Sequence, residues 1–559
     1  MEIKHLYTQA GENLTGDEYN VYPRPQLKRD SFFSLNGKWH LRYGKNHEIN
    51  INVPYPPESI LSGVFKDMGK DPFLVYTKEF TLPKGFIRDR VILHFGAVDQ
   101  VCTVFINGHN VGKNVGGYNS FSFDITQYLA ESNTVVVKVK DLLSTKALPY
   151  GKQTYRRGGM WYTPVCGIWQ SVWLESVPKD YIKSIKVITT LNSAKIYFSG
   201  INEGTLKLST PEGNLTFPIE NGMCDIFIKK PIHWSPDNPY LYYFTAKAGA
   251  DTVSSYFALR TLDIKEINGY PRILLNGEPF FFHGVLDQGY FSDGIYTPAS
   301  PLEYERDILA MKEMGFNTLR KHIKIEPEQF YYDCDRLGMI VFQDMVNNGS
   351  YSFLRDTALP TVLTKHFPER LLHRTKSQKN NFVEGMKKTV RQLFNHPCIC
   401  YWTIFNEGWG QFKSSQMYEL LSSLDSTRII DSTSGWFKGK KSDVESLHVY
   451  FKRVKLKSSN KPIILSEFGG YSYKVKDHVA NTKKTYGYRL FENQQDFENA
   501  FEELYLKEIV PNIEKGLCGS IYTQLSDVED ETNGLLTYDR KCVKVNKERM
   551  QKIAEKLKI

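Results

Sequence analysis

No run of about 18 apolar residues occurs in the chain, so no membrane-spanning helix is expected. The opening residues, MEIKHLYTQAGEN, also lack the apolar segment of a secretory leader, and the expected location is the cytoplasm. A concentrated basic arm is missing too. The formal charge is +9, but it is spread thinly over 559 residues, with Lys and Arg interleaved with Asp and Glu. Clusters such as Lys438, Lys440 and Lys441 read as solvated loops. Nucleic-acid recognition needs a basic stripe or a recognition motif, so neither nucleic acid nor membrane is an expected partner. Cysteine is sparse. Eight residues do not make a disulfide framework in a chain of this size, and the close pair Cys398 and Cys400 lies in an apolar run at a spacing that does not suit zinc. Buried thiols are the expectation.

What is present is material for several cores. Hydrophobic residues make up 41% and aromatics 14%, which suits aromatic-rich β-sheets or a site where sugar rings stack on aromatic faces. The length predicts about three or four domains. Up to about residue 178 the chain reads as short strands. VILHFGAVDQVCTVFINGHNVG alternates apolar and polar positions and turns at Asn107-Gly108, a hairpin signal. NTVVVKVKD repeats the alternation, and a jelly roll is predicted over 1–178. Segments such as AKIYFSG, GTLKLST and YLYYFTAKA predict an immunoglobulin-like β-sandwich over 179–262.

From about residue 263 the pattern changes to buried apolar runs alternating with amphipathic helices. Eight candidate strands can be counted: PFFFHGVL, FNTLRKH, MIVFQDM, ICYWTIFNE, RIIDSTS, SLHVY, PIILSEFGG and GSIYTQLSD. With EYERDILAMKEMG and NFVEGMKKTVRQLF among the intervening helices, a TIM (β/α)8 barrel is predicted over 263–559. In that fold the chemistry gathers at the C-terminal ends of the strands. Those ends carry Arg320, Asn406, Glu407, His448, Glu467 and Gln524. An unpaired carboxylate at the end of a buried strand is costly unless it opens onto a mouth. Glu407 and Glu467, on the fourth and seventh strands, therefore read as a facing pair suited to glycoside hydrolysis.

The motifs WTIFNE at 402–407 and SEFGG at 466–470, together with VPYPPES, VFINGHNVG, GMWYTPVCGIWQSVWLE and LLNGEPFFFHGV, resemble glycoside hydrolase family 2. That family holds β-galactosidases, β-glucuronidases and β-mannosidases. The resemblance covers nearly the whole chain and implies the same three-domain order. It implies a carbohydrate substrate, Glu407 as acid/base, Glu467 as nucleophile and Asn406 on the sugar 2-hydroxyl. Arg320 would orient the nucleophile, His448 and Tyr450 would be polar pocket groups, and Trp409 and Trp436 sugar platforms. Each has a plainer reading: Arg320 as a barrel salt bridge, His448 as a core histidine, the two tryptophans as packing. Asp287 and Asp344, at the ends of strands one and three, read equally as pocket or scaffold. Relatives often associate, so the resemblance also implies a homo-oligomer.

Three departures bear on substrate. Lactose-type relatives carry N-R-H-E after the first strand and D-E-A-N after the third, where this chain has Leu286-Asp287-Gln288-Gly289 and Gln343-Asp344-Met345-Val346. No metal or other cofactor is therefore expected. Glucuronidase relatives carry N-x-K beyond strand eight, where this chain has Glu531-Thr532-Asn533-Gly534. Arg320-Lys321-His322 brings the histidine one residue closer than the usual R-x-x-H, leaving the roles of His322, Lys321 and Lys324 open. The long connection from Val346 to Arg374 carries Arg355, Lys365, His366, Arg370, His373 and Arg374, either a basic lid for an acidic sugar or a solvated loop. The expected function is a retaining exo-β-glycosidase, with galactose favoured. The alternatives are a uronidase with a non-standard carboxylate pocket, or a carbohydrate-binding relative that has lost catalysis.

Overall fold

The computed structural model describes residues 4–358, Glu369, Leu372 and 375–559. Its first body is a β-sandwich. A six-stranded antiparallel sheet (His47–Val53, Gly37–Tyr43, Phe73–Phe80, Asn133–Lys140, Val101–Ile106, His109–Val115) faces a four-stranded one (Phe32–Ser34, Val172–Val177, Arg90–Phe95, Phe121–Asp124). The alternation seen in the sequence is the alternation of burial: Val135, Val137 and Val139 are buried, while Lys138 and Lys140 are exposed. Asn107 and Gly108 take positive φ of 49° and 82° in the hairpin they were expected to form. The second body packs three strands (Ser184–Thr189, Ser193–Ser199, Met223–Phe227) on four (Gly213–Ile219, Gly204–Thr210, Tyr242–Ala248, Asp251–Phe257) around Ile196, Leu206, Leu208 and Phe244.

A small antiparallel sheet over Leu262–Ile267, Tyr270–Leu275 and Glu278–Pro279 leads into the barrel. Eight parallel strands follow: β1 (Phe282–Asp287), β2 (Thr318–Lys321), β3 (Ile340–Asp344), β4 (Ile399–Asn406), β5 (Ile429–Ser434), β6 (Glu445–Val449), β7 (Ile463–Gly469) and β8 (Leu517–Thr523). Each expected strand is present. β1 pairs with both β2 and β8, and ladders continue through β5 on one side and β6 on the other. β5 and β6 share no backbone ladder. Hydroxyl groups span that seam: Ser434 Oγ lies 3.3 Å from Ser446 Oγ and 3.0 Å from Ser466 Oγ. Every residue of β4, β7 and β8 is buried, as expected where helices cover a parallel sheet. Among these helices, Lys376–Leu393 begins with a reciprocal capping box between Thr375 and Gln378. No described helix is long and apolar enough to cross a membrane, and all eight cysteines are free.

The bodies are joined by polar contacts as well as by apolar packing. The Glu175 carboxylate, on a sandwich strand, accepts from Tyr22, Arg24, Arg29 and Trp173 at 2.6–3.1 Å. Arg29 grips Asp251 of the second body with a fork at 3.0 and 2.9 Å. Burial raises the Glu175 carboxyl's pKa, but Arg24, His94 and Arg29 outweigh it and hold the group well below the carboxylate range. A second junction is a loop of the first sandwich laid over the barrel. Tyr150 donates from its backbone to Asn347 at 3.0 Å and from its hydroxyl to Gly349 at 2.8 Å, and the Thr163 amide reaches Glu529 at 2.8 Å.

Removing one partner from a buried charge network leaves the others uncompensated, at about 3–5 kcal/mol. Arg29→Met is accordingly expected to lower the melting temperature by several degrees in calorimetry and to expose the 179–262 sandwich to limited proteolysis. An unchanged melting profile would mean that the Arg29–Asp251 fork does not hold the two sandwiches together.

Candidate active site

The catalytic candidates sit where the strand order places them. Glu467 lies within β7, Asn406 ends β4, Glu407 follows it, and Arg320 is on β2. Glu407 leaves the strand with φ +52° and anchors its amide on the Ser434 carbonyl at 2.9 Å. That left-handed turn is sterically costly for a residue with a Cβ and is the kind of local strain found at functional sites. Gly435 stands opposite. A Cβ there would lie 3.1 Å from His448 Nδ1 and 3.3 Å from Glu407 Cγ, so the absent side chain lets imidazole and carboxylate meet.

Arg320 is fully buried and organises the floor. Its Nε donates to Asp344 Oδ1 at 3.0 Å, Nη2 lies 3.0 Å from Asp344 Oδ2 and donates to Asn406 Oδ1 at 2.9 Å, and Nη1 donates to Glu467 Oε1 at 3.0 Å. Asp344 also accepts from His322 Nδ1 at 2.7 Å. Asp344 is thus the support that aims Arg320, and His322 is a support of Asp344. The Asn406 carbonyl is committed to Arg320. This fixes the amide's orientation with its NH2 as the remaining donor.

His448 touches both carboxylates. Its Nδ1 is 2.8 Å from Glu407 Oε1, and its Nε2 lies 3.6 Å from Glu467 Oε1 and 2.9 Å from Ser434 Oγ. Tyr450 donates a short hydrogen bond to Glu467 Oε2, lies 3.0 Å from Thr523 Oγ1, and stacks on Tyr488 at 3.8 Å. Burial alone would raise the Glu467 pKa. His448, Arg320, His322 and the Tyr450 hydroxyl more than reverse that and bring it down to about 2. Glu467 is an ionised carboxylate in a set of donors.

Glu407, His448 and Glu467 each offer a ligand atom, all within 4.8 Å of one another. This is the one group of three metal-ligating side chains found among the described residues. The charge beside it is already cationic, since Arg320 hydrogen-bonds Glu467 directly. The chemistry of the donor set is that of a carboxylate pair in a hydrogen-bonded cage.

The remaining candidates divide. Trp436 meets His448 edge to face at 5.3 Å and donates to the Asp356 carbonyl at 3.2 Å. Trp409 is 2% exposed, donates to the Gly349 carbonyl at 3.1 Å, and is enclosed by Tyr150, Trp161 and Tyr351. It packs within that ring cluster. Asp287 lies outside the carboxylate cage, where Lys321 Nζ bridges it at 2.5 Å to Glu326 at 2.9 Å. Lys324 is spent on the Tyr296 carbonyl at 2.8 Å and on Glu326 at 2.9 Å. Both lysines are therefore scaffold. Gln524 is fully buried, with Nε2 on Asn533 at 2.9 Å and an unpartnered Oε1. Arg355 is tied to Asp356 and to the Ser350 carbonyl, whereas Lys365, His366, Arg370, His373 and Arg374 lie outside the described residues.

Sequence reasoning missed Ser434 and Ser446, which had no motif, and the loop of the first sandwich that brings Tyr150, Lys152, Trp161 and Tyr162 to the barrel. The motif GMWYTP marked that loop but not its destination. Tyr162 donates to Glu531, whose other oxygen accepts from Asn533 at 3.0 Å.

Comparison with known proteins follows this geometry. Residues 15–178 match the family model "Glycosyl hydrolases family 2, sugar binding domain", 174–260 match "Glycosyl hydrolases family 2", and 266–558 match "Glycosyl hydrolases family 2, TIM barrel domain". A β-galactosidase of Priestia megaterium is 26% identical over 86% of this chain, which spans 48% of that relative's length. A β-glucuronidase of Felis catus is 24% identical over 71% of the chain and 67% of its own length. The solved β-D-glucuronidase of Dictyoglomus thermophilum superposes with a TM-score of 0.74 at 19% identity, covering 96% of this chain and 98% of that one. With sugar-binding sandwich, middle sandwich and barrel matched in order along the sequence, the chain belongs to glycoside hydrolase family 2.

Proposed function

We propose that the protein is a retaining exo-β-glycosidase that removes a terminal β-linked sugar by double displacement. The observation that carries this reading is the pairing of Glu407 and Glu467 across the mouth, with carboxylate oxygens within 4.8 Å. Retaining enzymes hold their carboxyls at about 5–5.5 Å, whereas inverting ones need about 6.5–9.5 Å to admit a water. The environments of the two differ as their roles require. Glu467, ionised among Arg320, His448 and Tyr450, attacks the anomeric carbon. Glu407, held by one imidazole contact, gives a proton to the leaving oxygen and then takes one from water. Asn406, with its carbonyl fixed by Arg320, presents its NH2 to the sugar 2-hydroxyl, a bond that strengthens as positive charge builds on the ring.

A catalytically inactive binding relative would be expected to lack one member of this set, and all are present and connected. The preferred sugar is a finer matter. A galactoside was the expectation from sequence, and curated relatives include β-galactosidases and β-glucuronidases alike. The N-x-K lysine of glucuronidases has no counterpart at Glu531, which speaks against the ordinary way of reading a uronide but not against every way.

Two outcomes are expected. Glu467→Ala should lose at least about 1,000-fold in kcat on nitrophenyl β-glycosides, and added azide should restore turnover as the α-glycosyl azide. Glu407→Ala should lose about 100-fold or more on poor leaving groups, little on dinitrophenyl glycosides, and give the β-azide. Exchanged azide stereochemistry would reverse the two assignments.

The pH dependence follows from the depressed Glu467 pKa. Because the folded value lies below the unfolded one, about 4.3, the charged form persists as pH falls and is lost only on approaching about 2. With a dinitrophenyl glycoside, which needs no acid, stopped-flow glycosylation should be flat from pH 7 to about 3 while the fold persists. A fall centred near 4.3 would show that the cage does not hold Glu467 ionised.

A further inference from the structure

Among the described residues, one lysine at the barrel mouth makes no ion pair with a carboxylate. Lys152 comes from the first sandwich, not from the barrel, and is only 8% exposed. Among the described residues its ammonium meets the Trp161 ring, 5.5 Å from the centroid, and makes no ion pair or hydrogen bond. The 359–374 stretch contains one acid, Glu369, and that residue is engaged by Gln411 and Ser414. Nearby Glu531 is also committed, through Tyr162 and Asn533. A mostly buried lysine is costly without a paired counter-ion, and among the described residues Lys152 has no direct ion pair, its nearest compensation being the field of Glu531. The other buried lysines beside the mouth, Lys321, Lys324 and Lys544, are all paired with acids.

The backbone of Lys152 is held in place by both domains. Gly151, at φ +63°, sits where a Cβ would come within 2.9 Å of the Tyr118 hydroxyl and 3.0 Å of the Ile323 carbonyl. The chain therefore passes directly against the turn after β2. Tyr150 is pinned to Asn347 and Gly349 after β3, and the Lys152 carbonyl accepts from Tyr162 at 3.1 Å. Trp161, half-buried, leans on Trp409 at 5.1 Å and Tyr351 at 4.9 Å. The Lys152 charge is close enough to be felt by His322, which adjoins the Glu467 cage, and by Glu531, beyond β8.

Resting on the glycosidase reading above, we propose that Lys152 is a specificity residue that binds an oxyanion carried by the terminal sugar, with Trp161 as the adjoining apolar wall. The group is either the carboxylate of a uronic acid or a sulfate ester, both of which give a lysine the counter-charge it lacks here. The cation reaches the pocket from the sandwich loop rather than from the segment beyond β8. The absence of a lysine near Glu531 is then no obstacle to an acidic substrate.

The test compares kcat/KM for 4-nitrophenyl β-D-glucuronide, β-D-galacturonide, 6-sulfo-β-D-galactoside and β-D-galactoside in wild type, Lys152→Met and Lys152→Arg. The expected result is that wild type favours an anionic substrate over the galactoside. Lys152→Met should reduce that anionic-to-neutral ratio by about 100-fold, mainly through KM, with Lys152→Arg recovering part of it. The uronide and sulfate arms separate the two sources of charge. Preference of wild type for the plain galactoside, or an equal loss on all four in a folded Lys152→Met protein, overturns the proposal and leaves the glycosidase reading intact. If no glycoside is cleaved, the glycosidase reading fails. Calorimetric titration with free glucuronate, galacturonate and galactose 6-sulfate then decides Lys152 separately, since binding that is lost in Lys152→Met sustains it and no binding by wild type overturns it.

Discussion

The buried guanidinium of Arg320 is the constraint on which the site depends. A charge placed at the centre of a barrel is tolerated only when its donors are matched, and here they are matched by Asp344, Glu467, Asn406 and the Ser466 carbonyl. Those acceptors come from β3, β7 and β4, so one side chain from β2 fixes the relative positions of three other strands. The same bonds keep Glu467 ionised and fix the Asn406 amide with its NH2 as the remaining donor. Burial raises the cost of every unmatched group, and for that reason it also makes the matched arrangement unique.

His448 extends this arrangement to Glu407. Its two ring nitrogens face different carboxylates, and the hydroxyl of Ser434 completes the Nε2 environment. The imidazole therefore bridges the two carboxylates. The seam between β5 and β6, lacking a backbone ladder, is where the hydroxyls of Ser434, Ser446 and Ser466 gather behind that ring.

Much of this was legible in the sequence because strands announce their ends. The buried runs ICYWTIF and PIIL stop at Asn406 and at Ser466-Glu467, and a polar residue at such a stop is a mouth residue in a barrel. Asp287 and Asp344 occupied equivalent stops and were indistinguishable. Only spatial neighbours separate them, because Lys321 claims one and Arg320 the other. Trp409, two residues past Glu407, read equally as sugar platform or packing, and it lies in a ring cluster with Trp161 and Tyr351. Lys152 was invisible for a different reason. Its surroundings come from segments far along the chain, and the surrounding sequence reads as an ordinary turn of a sandwich.

The loop from Tyr150 to Thr163 lays the first sandwich directly against the segments that follow β3 and β8. The carboxylate cage and the Lys152–Trp161 loop are thus supplied by different domains. On the glycosidase reading, substitutions in the loop would alter which sugar fits without touching the strands that hold the two carboxylates. On the same reading, that division places the fit of the sugar at a domain contact and the carboxylate pair within the barrel.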